Sequence, residues 1–117
     1  MSDKVKDYKA RRQTWIEALE SGKYKQGIKR LQNRLGQFCC LGVACDLIKD
    51  QMSIGENTNG DITYNKADSQ PPPKMISYFG LYYSTCKKLM EMNDHDDKSF
   101  KEIAAYLREL NTGNDWI

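Results

Sequence analysis

"FCCLGVACDL", residues 38–47, holds three of the chain's four cysteines in a run whose only charged group is Asp46. Leu41, Ala44, Cys45 and Ile48 recur at helical spacing, and Cys40, Val43 and Leu47 line the adjoining face. A helix apolar around most of its circumference belongs in the middle of a core, so residues 39–50 are expected to form a central, buried helix. Gly42 costs a helix about 1 kcal/mol relative to alanine, and the usual compensation is a neighbouring element packed close against it.

The rest of the chain arranges itself around that helix. Val5, Tyr8, Trp15, Ile16 and Leu19 give residues 3–20 a helical stripe that Ser2 or Asp3 can cap and Ser21-Gly22 ends. Arg12 falls within the stripe, which suggests a packed stem and a wet guanidinium. "KYKQGIKRLQNRLGQ" (23–37) reads two ways: Ile28, Leu31 and Leu35 suit a helical turn, whereas Tyr24, Gln26 and Ile28 suit an extended segment with a turn at 33–36, which is the expectation taken. Residues 51–70 are polar and rich in Asn and Gly. Ile62 and Tyr64 alternate as in a short strand, with Met52–Ile54 as its hairpin partner and mobility expected throughout the insertion.

Pro73 suits the first position of a short helix through Phe79, closed by Gly80. Ser84 is placed to cap a helix through Met92, and Ser99-Phe-Lys-Glu102 is a capping box for a helix to about Leu110. The sum is a mostly helical α+β fold. It comprises one compact domain over residues 1–117, with about four helices and a small antiparallel sheet or hairpin from residues 24–38 and 52–65.

Composition narrows the function classes. The chain has 117 residues, 39% of them hydrophobic and 29% charged, as in an ordinary globular domain. "MSDKVKDYKARR" lacks the apolar stretch of a secretory signal, and no run is long enough to span a bilayer, so a cytoplasmic setting without membrane partners is expected. Residues 1–34 carry ten Lys/Arg against four Asp/Glu, whereas the remainder carries eight against twelve. A basic third beside an acidic remainder attracts phosphates, nucleic acid or an acidic protein face.

Three kinds of site chemistry compete. A zinc centre would draw on Cys39, Cys40, Cys45, Cys86 and His95, but no Cys-x-x-Cys knuckle is present, and no metal or cofactor is expected. Cys39 or Cys40 at a helix start could be a nucleophile with His95 as base, against which an apolar neighbourhood raises a thiol pKa. "DHDDKSFKE" departs from a calcium loop, with Lys98 fifth, Ser99 sixth and Ala105 where the bidentate Glu belongs. "SFKEIAAYLREL" opens like a helix-turn-helix but has no recognition helix after it. What remains is Tyr24, Lys25, Gln26, Lys29, Arg30 and Arg34, expected beside the free N–H groups of the helix starting near Cys39. That set forms a candidate anion or nucleotide pocket.

"WIEALESGKYKQ" (15–26), "FCCLGVACDL" (38–47), "PPPKMISYFGL" (71–81) and "LMEMNDHDDKSFKEIAAYL" (89–107) resemble, as an ordered set, a family of small uncharacterised proteins of bacteriophages, prophages and bacteria. The resemblance implies a phage-like setting and a compact, largely helical domain, and it carries no biochemical activity. Members have an Asn-Asp-x-Gly turn before the Ser-Phe helix. "NDHDD" here lacks that glycine, which makes His95 incidental to the pattern.

The expected function is therefore non-enzymatic binding by a phage-type accessory protein. It would counter host defence by sequestering a nucleotide-like signal or by blocking a host protein. A cysteine-dependent enzyme and a non-specific nucleic-acid binder are the alternatives.

Overall fold

The computed structural model describes residues 7–117, so the expected caps Ser2 and Asp3, and Val5 of the apolar stripe, lie outside the described residues. Helix α1 runs Tyr8–Glu20, and the Asp7 carboxylate caps it by accepting from the Ala10 N–H. Strands β1 (Lys25–Gln26) and β2 (Gln37–Phe38) precede helix α2 (Cys40–Leu47), which a 3-10 turn at Lys49–Gln51 follows. Strands β3 (Ile54–Glu56) and β4 (Ile62–Tyr64) lead to helices α3 (Pro73–Phe79), α4 (Tyr83–Asp94) and α5 (Phe100–Leu110). The architecture is mostly helical α+β.

Helix α2 is the centre of the core. Cys40, Leu41, Val43, Ala44 and Cys45 are fully buried, as are Trp15 and Ile16 of α1, Leu89 of α4, and Ile103 and Leu107 of α5. Burying each large aliphatic or aromatic side chain contributes about 1.5–3 kcal/mol. The Trp15 indole N–H also donates to the Cys40 carbonyl at 3.0 Å, which fixes α1 against the start of α2.

The cost of Gly42 has a visible cause. A Cβ built there would lie 1.7 Å from the Leu31 carbonyl oxygen, so only glycine lets the residue 27–36 loop lie against the helix. Helix α2 stops at Leu47, short of the expected 50. Ile48 leaves the helical region (φ −122°) and its N–H donates to the Cys45 carbonyl as the chain tightens into the 3-10 turn.

The small sheet has two parts. β3 and β4 pair antiparallel, Ile54 opposite Tyr64 and Glu56 opposite Ile62, so the expected hairpin forms with its first strand two residues later than Met52–Ile54. β1 and β2 pair in parallel, Lys25 with Gln37 and Gln26 with Phe38. Gln32 bridges to both Phe38 and Ile62 and so ties the two pairs together.

Two local expectations change. Arg12 is not wet at its head but fully buried. Its Nε donates to Asn111 Oδ1 at 3.0 Å, and its terminal nitrogens donate to the carbonyls of Gly80 and Gly113. The Asn111 side chain and the carbonyls of Gly80, after α3, and Gly113, after α5, give the guanidinium partners that water would otherwise supply. Ser84 does not cap α4 but sits in its first turn. Tyr82 takes the cap position because its carbonyl accepts from the Thr85 and Cys86 N–H groups while its own N–H donates to Ile117. The capping box at Ser99–Glu102 forms as expected, and α3 begins at Pro73 and closes on Gly80.

Candidate functional site

The basic stretch sits on β1 and the loop that follows it, and its six residues divide by what they touch. The Tyr24 hydroxyl donates to Asp46 Oδ2 at 2.6 Å, and its ring stands edge-on to Phe38. Burial, then the hydrogen bond to Asp46 and its charge, push the phenol up to about 12. The Gln26 amide is fully used: Nε2 donates to Asn93 Oδ1 and the Lys98 carbonyl, and Oε1 accepts from the Phe100 N–H. Arg30 Nε donates to Asp61 Oδ2 at 3.2 Å. Lys25, Lys29 and Arg34 are exposed.

Tyr24 lines a cleft with Thr14, Ala18 and Leu47, whereas Gln26 lines another with Ile28, Asn93 and Lys98.

Of the N–H groups expected to be free at the start of α2, those of Cys40 and Gly42 are taken. Cys39 caps the helix: its sulfur accepts from the Gly42 N–H at 3.4 Å, and its own N–H donates to the Arg30 carbonyl. The Cys40 N–H donates to Asn93 Oδ1 at 3.2 Å. The chain therefore meets this helix end with the backbone oxygen of Arg30, and the guanidinium turns away to Asp61. The expectation of a bare helix N-terminus beside these cations is corrected at Cys40 and Gly42, whose N–H groups are taken within the chain.

Asn93, absent from the sequence candidates, is the hub of this region. It is 2% exposed, and besides accepting from Cys40 and Gln26 it donates through Nδ2 to the Gly27 carbonyl and to Asp94 Oδ1, both at 2.9 Å. Asp94 Oδ1 in turn accepts from the Lys29 N–H. One buried amide thus joins β1, the start of α2 and the end of α4. The Asn-Asp pair of "NDHDD" was the signal, and its acidic company disguised it as a solvated connection. Asp61 is a second such residue. The Asn57 amide, the Arg34 N–H and Arg30 all hold its carboxylate below the usual range. It lies in the Asn-Gly-Asp turn between β3 and β4.

The thiols are sealed. All four are free and buried. Burial pushes Cys39 up to about 12 despite backbone N–H groups that oppose the shift, and raises Cys40 and Cys45 strongly and Cys86 to about 11. The Cys40 thiol points at the Leu89 carbonyl at 3.6 Å. His95 is exposed at the end of α4 and lines a cleft with Tyr83, Lys87 and Glu91. Among the described residues no three Cys, His, Asp or Glu side chains are placed to share a metal ion. No helix among them is long and apolar enough to cross a membrane.

A family model described as a domain of unknown function, DUF8296, matches residues 1–79, which include α1, α2, α3 and the small sheet. No curated protein and no solved structure matches the chain.

Proposed function

We propose that this chain, which belongs to the DUF8296 family, acts by binding rather than by bond chemistry, as a phage-type accessory protein that blocks a host protein with its basic N-terminal third. The observation that carries this reading is the opposite placement of its two candidate chemistries. The thiols lie in the dry core, with pKa values raised by burial. Lys25, Lys29 and Arg34 face solvent. A nucleophile needs a populated thiolate and access, and burial removes both.

The same geometry favours a protein target over a small anionic ligand. Tyr24 and Gln26, the groups suited to recognising a base, spend their hydrogen bonds within the chain, and the Cys40 and Gly42 N–H groups at the helix start are taken. The phage-like setting rests on the resemblance of the four motif stretches, and a role in countering host defence follows from that setting.

Intact-mass measurement after mild iodoacetamide treatment at neutral pH tests the claim. The expected result is no adduct without denaturant, and fast labelling of a single cysteine would replace binding with catalysis. A thermal shift induced by a nucleotide, and lost on combining Lys25→Ala, Lys29→Ala and Arg30→Ala, would move the target to a nucleotide-like signal. Affinity for any nucleic acid that collapses with added salt would favour the non-specific alternative.

A further inference from the structure

The loop between β1 and β2 combines a hydrogen-bonded turn with a large apolar side chain held in water. Leu35 is 73% exposed, the most of any large apolar residue described, and Ile28 in the same loop is 53% exposed. Solvation alone gives no reason to place leucine at a turn tip.

The turn is preset by Asn33. Its Oδ1 accepts from the Leu35 N–H at 2.9 Å and the Gln37 N–H at 3.0 Å, and its Nδ2 donates to Gln37 Oε1. Its carbonyl accepts from the Gly36 N–H, and Gly36 takes the left-handed conformation (φ +77°) that closes the turn. Asp61 holds the Arg34 N–H, Gln32 pairs with Ile62 and with the Tyr64 hydroxyl, and the Leu31 N–H donates to the Asp68 carbonyl. The base of the loop is therefore bolted to β4 and its neighbours while its tip projects.

Charge says what the tip meets. From Ser21 to Cys45 the chain contains five Lys/Arg and no Asp or Glu. Of these, Arg30 is paired with Asp61, and Lys25, Lys29 and Arg34 are exposed; the acids that reach the loop from α4 and after it, Asp94 at the Lys29 N–H and Asp97 beside Ile28, meet it at its root. A preorganised apolar anchor with a cationic surround matches an apolar pocket rimmed by carboxylates. Such an anchor binds well because little side-chain and loop freedom is lost on docking.

We propose that the Asn33–Gly36 turn is a docking knob whose Leu35 enters an apolar, acid-rimmed pocket on a partner protein. A nucleic acid offers phosphates to the cations but accepts a wedge such as Leu35 only at the cost of unstacking a base step. Docking of this loop on the same loop of a second copy would bring cation against cation. The proposal rests on the binding reading above and names the part of the surface that does it.

A random peptide library selected on the immobilised protein tests the knob. Enriched peptides are expected to combine Asp or Glu with bulky apolar residues, and to bind a Leu35→Ser variant at least roughly tenfold more weakly. Pairing Lys29→Ala with Arg34→Ala should slow association and flatten its salt dependence. Leu35→Ser should melt with the wild type, since the side chain contributes no core packing.

Peptides that bind Leu35→Ser as tightly as wild type would overturn the knob and leave binding elsewhere on the molecule intact. Failure to enrich any peptide above bare support would overturn it as well, and rapid native-state thiol labelling would separately overturn the binding reading. Dissociation of an oligomer by Leu35→Ser would show that a second copy, not an acidic partner, covers the loop.

Discussion

Replacing Asn93 by alanine removes an amide that makes four hydrogen bonds in a nearly dry site. Two of its partners can be rescued at the surface, since the side chains of Gln26 and Asp94 are only partly buried and can turn to water. The other two are backbone groups, the Cys40 N–H at the start of α2 and the Gly27 carbonyl behind β1. A buried polar group left unpaired costs about 1–3 kcal/mol, so Asn93→Ala is expected to lose roughly 2–6 kcal/mol. A domain of this size has about 6–18 kcal/mol in total, by the usual range per residue. In urea, with a slope of about 2 kcal/mol/M, the midpoint should fall by roughly 1–3 M.

The near-isosteric Asn93→Asp variant separates hydrogen bonding from shape. It keeps the acceptor towards Cys40 but points a carboxylate oxygen at the Gly27 carbonyl and at Asp94. Burial and a facing carboxylate both favour the neutral form, so the folded-state pKa of the new group rises above its unfolded value of about 3.9. The variant's deficit is then largest at neutral pH and shrinks as pH falls through that raised value. Urea titrations of both variants at pH 7 and pH 5 make the test. An Asn93→Ala midpoint within about 0.3 M of wild type would refute the hub, as would an Asn93→Asp deficit independent of pH.

Gly42→Ala should destabilise the protein by about 1–3 kcal/mol or more, because the added methyl collides with the Leu31 carbonyl, although alanine is the better helix former; thermal denaturation reads this directly. Arg12→Lys exchanges a fork that reaches Asn111, Gly80 and Gly113 for a single ammonium. It should cost roughly 1–3 kcal/mol and shift Trp116 emission to the red as the C-terminal segment loosens. Iodoacetamide labelling of Cys39 in the folded protein should remain slow at pH 9, because burial holds its pKa up at about 12; in urea the thiol returns to about 8.5 and reacts quickly. A fragment ending at residue 79 should show no cooperative unfolding by circular dichroism, since it lacks Asn93 and the α4 and α5 residues that complete the core around α2.

The elements were legible where one local signal was enough. Helical spacing placed α2, proline at a first helical position and glycine after it bracketed α3, and Ser99 with Glu102 marked the start of α5. Gly42 announced a close neighbour, though not that the neighbour would be the backbone of Leu31. What stayed hidden was every arrangement that depends on distant partners. Arg12 reads as an edge residue because its partners lie some 70–100 positions away. Asn93 reads as part of an acidic loop because its role depends on Gln26, Gly27 and Cys40 arriving from elsewhere. The same limit explains the candidate pocket. Six neighbouring basic and polar residues look like a constellation in one dimension, and strand alternation would put Tyr24 and Gln26 on one face. Distant partners separate them instead: Tyr24 is drawn to Asp46 and Gln26 to Asn93 and Lys98, and the two line different clefts.

The projecting loop and the buried hub are parts of one mechanical arrangement. Gly27 and Lys29, at the root of the loop, are held through their backbone by Asn93 and Asp94 of α4, and Gln26 just before them is held by the start of α5. The residues that would meet a partner belong to the stretch that DUF8296 matches, whereas part of what keeps them in place lies beyond residue 79. Rigidity at Leu35 is therefore delivered by two sets of contacts: the Asn33 turn sets the shape of the tip, and the Asn93 amide sets where its root sits on the core. Loss of the Leu35 anchor and loss of the Asn93 hub should each weaken docking, by different routes. Leu35→Ser deletes the anchor and leaves stability alone, whereas Asn93→Ala lowers stability and frees the root while the anchor remains. A partner that tolerates the second change but not the first would be recognising the side chain alone; one sensitive to both would be reading the loop in the position the hub imposes.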